Sequence, residues 1–302
     1  MKRFILSLAT VLSLSLGTWV SSNSSAYASV DIAVSPPYLE FEIGKLSRTQ
    51  SFKLVNFSKK AVKVRVSVNH WMLDEQNKVK ILPPTEQSLD QWLIINPLEF
   101  TIPAQGEQTV RLGVSPRVQP ELGEHRAMVY FSSEPEKAPT QGGVMVKGRL
   151  GVAVYGYVGD LKRVGTLHGV SVNATSKKAT AVFDITSSGR NNIRMKGQYA
   201  IWPAAQYPGA AATQLIPNLD DFLNPADKPP EKSEKSKKSE AMLPKGLLEA
   251  GLLPLLPVLP QTRRQLSLQF QKPLPPGQYV LDLNGTLGET PIDKGIPFEV
   301  KP

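Results

Sequence analysis

Cysteine is absent from the sequence, which excludes disulfides, thiolate-held metals and cysteine nucleophiles. Stability must therefore come from buried apolar surface, and 302 residues are enough for two domains of roughly 100–200 residues each. Histidine is scarce too. His70, His125 and His168 lie far apart and show no zinc-site spacing. His70 reads as a strand-end residue, and His125, next to Arg126, is placed to pair with a carboxylate. No glycine-rich stretch has phosphate-cradling spacing: "GVAVYGYVG" (Gly151 to Gly159) is wrongly spaced and sits inside a strand pattern. No serine occupies a nucleophile elbow. Asp74, Glu75 and Asp90 flank turns, so no glycosidase pair stands out. The sequence thus nominates no catalytic residue, no metal ligand and no cofactor, and an envelope enzyme is the weakest reading. Trp71, Trp92 and Trp202 read as core or domain-interface anchors, with a sugar platform as the alternative.

Long apolar runs are missing except at the start. Lys2 and Arg3 precede an apolar stretch from Phe4 to Val20, and Ala26-Tyr27-Ala28 has the small-x-small form of a cleavage site. This predicts a signal peptide over residues 1–28, cleaved after Ala28, and hence export. The formal charge of +9 becomes +7 without Lys2 and Arg3. Export argues against a nucleic-acid partner. A diffuse basic surface is the plain reading, and attraction to anionic lipid or to an acidic partner is the sharper one.

What the chain has instead is alternation. In "AVKVRVSVNHW" (Ala61 to Trp71), Val62, Val64, Val66 and Val68 alternate with Lys63, Arg65, Ser67 and Asn69, so one face is buried and one is wet. "QSFKLVN" (Gln50 to Asn56) places Phe52 and Leu54 on one face. Prolines break Leu82 to Ile102, leaving room for one helical turn at Ser88 to Trp92. Strands follow over Gln108–Val114 and Gly123–Pro135, then a loop to Gly143. The opening of the next segment, "TQGGVMVKGRLGVAVYGYVGD", places Val144, Val146, Leu150, Val152 and Val154 on one parity and Lys147 and Arg149 on the other. About seven short strands with Gly and Pro turns predict a β-sandwich over residues 29–158, ending at a hinge near Gly156 to Asp160. A strand so long and apolar is an aggregation hazard if it lies at an edge.

A second β-rich set predicts a smaller sandwich over 161–302. It is interrupted at about 218–262. "DKPPEKSEKSKKSE" (Asp227 to Glu240) carries too little apolar surface to offset chain entropy, so a disordered insertion is expected. "LPKGLLEAGLLPLLPVLP" (Leu243 to Pro260) holds too many prolines for a long helix. Its leucines are expected to pack back on the second domain, the alternative being contact with a membrane or partner.

Several of these stretches resemble, in order, the PapD-like periplasmic chaperones of chaperone–usher pilus systems. They are "SFKLVNFSKKAVKVRVSVNHWMLDE", "ILPPTEQSLDQWLIINPLEFTIPAQGEQTVRLGVSP", "GEHRAMVYFSSEP", "GRLGVAVYGYV", "NNIRMKGQYAIW" and "LPPGQYVLDL". The resemblance implies an all-β chain of two immunoglobulin-like sandwiches in tandem. It also implies a periplasmic, ATP-independent chaperone that caps pilus or fimbrial subunits by donor-strand complementation and works with an outer-membrane usher. Main-chain pairing would then supply affinity and alternate side chains specificity. The donor residues fall at Val144 and Val146, with Leu150 continuing the face. Val152 and Val154 fall to the protein's own core. The family's first-strand arginine has no counterpart in "AVSPPYLEFE", and its lysine near the end of the long strand falls at Gly151. That leaves Arg149, Lys147 and Arg111 as candidates to anchor a subunit carboxylate, and points to a divergent, archaic-type branch. Self-dimerisation through the donor edge is a further expectation. The competing reading is a secreted structural or adhesive protein of two sandwiches.

Overall fold

The computed structural model describes residues 32–44, 49–74, 77–134, 148–159, 162–217, 219 and 244–301. The predicted signal peptide, the charged stretch Asp227–Glu240, Val144, Val146 and Lys147 lie outside the described residues. Among the described residues, regular structure is almost entirely β, with three short 3₁₀ turns. No helix there is long and apolar enough to cross a membrane.

The first sandwich is built from β1 (Ile32–Ser35), β2 (Tyr38–Glu42), β3 (Gln50–Asn56), β4 (Val62–Leu73), β5 (Val79–Leu82), β6 (Leu93–Asn96), β7 (Glu99–Ile102), β8 (Glu107–Val114), β9 (Gly123–Glu134) and β10 (Arg149–Val158). One sheet runs β1-β3-β8-β6. The other runs β2-β10-β9-β4-β5, with β7 also paired to β4. The alternation seen in the sequence sets what faces inward. Phe52 and Leu54 are fully buried while Ser51 and Lys53 face out, and Val64 and Val66 are buried between exposed Lys63 and Arg65. Val110, Leu112, Val129 and Phe131 complete a core shared by both sheets, where Phe52 meets Phe131 edge-on at 5.6 Å. The chain changes sheets between β1 and β2 at Pro36 and Pro37, which have no N–H to lend a ladder. The helical turn expected at Ser88 to Trp92 is present as a 3₁₀ turn, Leu89–Gln91, which buries Leu89. The same proline-broken stretch also yields β6 and β7, since four residues suffice for a strand that pairs with a longer one.

The second sandwich comprises β11 (Gly165–Ala174), β12 (Ala179–Ser187), β13 (Met195–Pro203), β14 (Glu249–Leu252), β15 (Arg263–Gln269), β16 (Gly277–Leu287) and β17 (Thr290–Val300). One sheet is β11-β12-β15 and the other β14-β13-β16-β17. Their inner faces meet in a separate core containing Phe183, Ile185, Tyr199, Ile201, Leu281 and Leu283. The Leu/Pro stretch enters this architecture directly. Glu249–Leu252 pairs with β13, Leu253 and Val258 lie in the second core, and Val258 bridges to Ile193. Leu259 packs elsewhere, against Trp71, Tyr155 and Tyr157 of the first sandwich. Leu255 and Leu256, between Pro254 and Pro257, are exposed.

Two cores without shared members respond separately to truncation. Phe52→Ala and Phe183→Ala are each expected to cost about 3–5 kcal/mol. Segment-resolved hydrogen exchange should show faster exchange in β3 and β8 for the first variant and in β12 and β15 for the second.

Candidate functional site: an open strand margin beside the domain junction

Strand β10 pairs with β9 along its whole length, from Arg149 opposite Ser132 to Val158 opposite Gly123. Its other margin is covered only in part. β2 runs parallel to it from Tyr38 opposite Ala153 to Glu42 opposite Tyr157 and reaches no further back. Among the described residues, nothing pairs with the margin of Arg149–Val152 on that side. The bare length is the first half of the strand that the sequence marks as long, flat and apolar.

The two faces of β10 have different fates. Val152 and Val154 are buried in the first core, and half-buried Leu150 packs at its rim. On the opposite face, Tyr155 and Tyr157 are buried with Trp71, Met128 and Leu259. Trp71 thus stands at the domain interface, Trp92 in the first core, and Trp202 on the second sandwich. Gly151 faces the same way as Tyr155. A β-carbon there would sit 2.9 Å from the Tyr130 ring and 3.2 Å from the Met128 sulfur. Those side chains occupy the space that a longer residue at this position would need.

The candidate anchors are not gathered together. Arg149 lies on the Gly151 face, its guanidinium 3.5 Å from the centre of the Tyr130 ring and its Nη2 donating to Asn69 Oδ1 at 3.5 Å. Arg111 is exposed on β8, in the other sheet. Lys147, Val144 and Val146 fall outside the described residues, immediately before this margin.

Beyond the margin, β2 and β10 lead into a buried polar junction between the sandwiches. Glu124, at the start of β9, has no exposed side-chain surface. Its Oε2 accepts from the Asn192 backbone N–H and from Asn192 Nδ2, both at 2.7 Å, and its Oε1 accepts from Arg126 Nη1 at 3.1 Å. Asn192 Nδ2 also donates to the Tyr157 hydroxyl at 2.8 Å. On β2, Glu40 receives Arg194 Nη1 at 2.5 Å and Arg163 Nη2 at 3.5 Å. Arg194, itself buried, lies over the rings of Tyr38 and Tyr155. Burial holds the Glu124 carboxyl above its ordinary range, against the opposing pull of Arg126 and Asn192. Burial likewise raises Tyr155 and Tyr157, so both keep their hydroxyl protons.

Sequence reasoning named none of Glu40, Glu124, Arg163, Asn192 or Arg194. Each is a single polar residue in or beside a strand pattern, indistinguishable there from a solvated one. His125 is a correction. Among the described residues it meets no carboxylate: Nδ1 lies 2.7 Å from the Gln87 carbonyl and Nε2 2.8 Å from that of Glu121, with Trp92 against its ring. The fold turns its side chain away from Arg126 because neighbours along a strand face opposite ways. His70 lies near the end of β4, its Nδ1 3.0 Å from the Pro83 carbonyl. Among the described residues, no three His, Asp or Glu side chains are grouped to hold a metal.

No protein-family model matches this chain, and no curated protein matches it. Among solved structures, it is similar to the class 5 fimbriae chaperone CfaA, at 10% identity over 90% of this chain and 99% of that one, with a TM-score of 0.41. It is similar to a chain of the CsuC–CsuE chaperone–tip adhesion subunit complex from the archaic chaperone–usher Csu pili of Acinetobacter baumannii. There the identity is 14%, the coverage 89% and 97%, and the TM-score 0.42. It is also similar to the E. coli chaperone DraB, at 12% identity, 89% and 96% coverage and a TM-score of 0.37.

The junction generates two expectations. Glu124→Ala leaves Arg126 and Asn192 without their buried acceptor and is expected to cost about 3 kcal/mol, read by chemical denaturation. A carboxyl raised on folding stabilises fully below its unfolded value, and that contribution is lost as pH rises through the folded value. Wild-type stability relative to the permanently neutral Glu124→Gln should therefore decline as pH rises from 4.5 and level off above the raised value.

Proposed function

We propose that the protein is an exported, periplasmic chaperone that binds pilus or fimbrial subunits by lending them the first half of β10 and the residues just before it. The observation that carries this reading is the margin of Arg149–Val152, with which nothing pairs among the described residues on the side away from β9. It leaves main-chain donors and acceptors available to an incoming strand, and half-buried Leu150 continues the face on which Val144 and Val146 alternate. A subunit that lacks one strand of its own sandwich presents a matching groove. Each aliphatic side chain buried there contributes about 1.5–3 kcal/mol before ordering costs. Strand pairing and burial supply the binding free energy, so no nucleotide is required.

Arg149 is the first candidate to receive a subunit carboxylate, because it stands beside the open margin, whereas Arg111 belongs to the other sheet. A charge-assisted hydrogen bond at that place would fix the register of the incoming strand. The usher and the self-paired dimer belong to the same reading, since both call on a protein whose strand margin is open between encounters.

The test is co-expression with an exported pilus subunit of the same organism, followed by affinity measurement and hydrogen exchange. The double variant Val144→Arg/Val146→Arg should bind at least about 100-fold more weakly while keeping the wild-type circular dichroism spectrum. Arg149→Ala should lose about tenfold. Amides of residues 149–152 should exchange more slowly in the complex. Unchanged affinity in the double variant, or unchanged exchange at 149–152 in a formed complex, would overturn the proposal.

A further inference from the structure

The junction between the sandwiches runs across the first sandwich from β2 to the turn between β4 and β5, and its two ends are matched differently. At the β2 end the charged groups have partners. Arg194 Nη1 donates to Glu40 Oε1 and also to Asn192 Oδ1 at 2.9 Å. Arg163 Nη1 donates to the Asn192 carbonyl at 3.0 Å, and the Glu124 backbone N–H donates to the Arg190 carbonyl at 2.9 Å. With the three bonds that the Glu124 carboxyl receives, these contacts join β2 and β9 to the Arg190–Arg194 segment through directional bonds.

At the β4–β5 end the second sandwich presents Arg264, the second residue of β15. It pairs opposite Ile185, on the parity of buried Leu266. Arg264 is only 6% exposed. Its Nη1 reaches the Pro257 carbonyl at 3.4 Å, and its buried Nε and Nη2 meet no partner among the described residues. Burial lowers the Arg264 pKa, against the opposing pull of Asp74 and Tyr155, and a guanidinium keeps its charge. Trp71 shares this end. It meets Tyr155 edge-on at 6.1 Å and packs with Leu259, and its buried Nε1 has no partner among the described residues. The hydrogen bond that crosses here, from Asn77 Nδ2 to the Gln265 carbonyl at 3.0 Å, is exposed. A buried charge and a buried donor without acceptors are costs of the closed arrangement that hydration removes. Burial of Leu259 and Trp71 acts the other way, with a magnitude of the same order.

We infer that the sandwiches part at the β4–β5 end and hinge at the β2 end, so that the closed arrangement interconverts with one in which Trp71 and Arg264 meet water. Matched bonds resist separation at one end, and unmatched groups favour it at the other. Opening uncovers Met128, Trp71 and Tyr155, which share a sheet face with Tyr130 and Gly151 beside the open margin. One arrangement therefore offers additional apolar surface next to that margin, and the other withholds it.

The test follows indole N–H exchange with solvent by two-dimensional NMR of the isotope-labelled full chain. Trp71→Phe and Trp92→Phe identify the two indole signals by their loss. The Trp71 N–H should exchange at least about tenfold faster than that of Trp92, which donates to the Glu86 carbonyl at 2.9 Å. Arg264→Leu removes the unmatched charge and should slow Trp71 exchange about tenfold while leaving Trp92 unchanged. The absence of cysteine allows spin labels to be placed in pairs. Lys80→Cys with Ser267→Cys spans the opening end, and Glu121→Cys with Arg190→Cys spans the hinge. In the otherwise wild-type chain the first pair should give two separations and the second pair one, and Arg264→Leu should reduce the first pair to one. Trp71 exchange no faster than that of Trp92, a single separation for the first pair in the wild-type background, or Trp71 exchange unchanged in a folded Arg264→Leu would each overturn the inference.

Discussion

The structure turns on the two-sided burial of β10. A strand presents successive side chains to opposite faces, so one strand can serve two cores. Val152 and Val154 seal the first sandwich, while Tyr155 and Tyr157 face Trp71, Met128 and Leu259 at the junction. This requires apolar residues at consecutive positions over the second half of the strand, which is why its alternation dissolves into a continuous buried run there. In the first half only one parity is committed to the core, and the covering strand β2 stops short. The contrast between a fully engaged half and a half-engaged one is what makes the margin available.

The junction constrains how that margin is presented. Glu124 on β9 and Glu40 on β2 stand on the two strands that flank β10, and Asn192, Arg194 and Arg163 come from the second sandwich or the link to it. Burying a carboxylate is costly unless its oxygens are filled, and Glu124 receives three hydrogen bonds in compensation. Such a network is directional in a way that apolar contact is not. Leu259, from the Leu/Pro stretch, adds apolar packing to the same junction, so a segment that interrupts the second domain in sequence helps join the two sandwiches.

The second sandwich carries its own elaboration. The segment after β13, residues 204–217, is held to its sheet by reciprocal hydrogen bonds between Gln198 and Ile216 and covers a face that would otherwise present Trp202, Ala200 and Val280 to solvent. The cost is a carboxyl and an indole nitrogen placed out of water, the first tied to Tyr207 and the second without a partner among the described residues.

The sequence by itself determined the all-β class, the two successive sandwiches and most of the strand positions. Period-two alternation at Phe52 and Leu54 or at Val64 and Val66 is a local signal with one physical outcome, a strand with one buried face. It also marked β10 as unusual. Tertiary structure alone decided where β2 ends against β10, that Tyr130 fills the space over Gly151, and that Arg111 and Arg149 stand on different sheets. It alone decided that His125 faces two carbonyls and that Glu124 meets Asn192. These outcomes depend on which strands become neighbours and in what register. A polar residue carries the same letter whether its partner is water or a side chain that lies dozens of positions away.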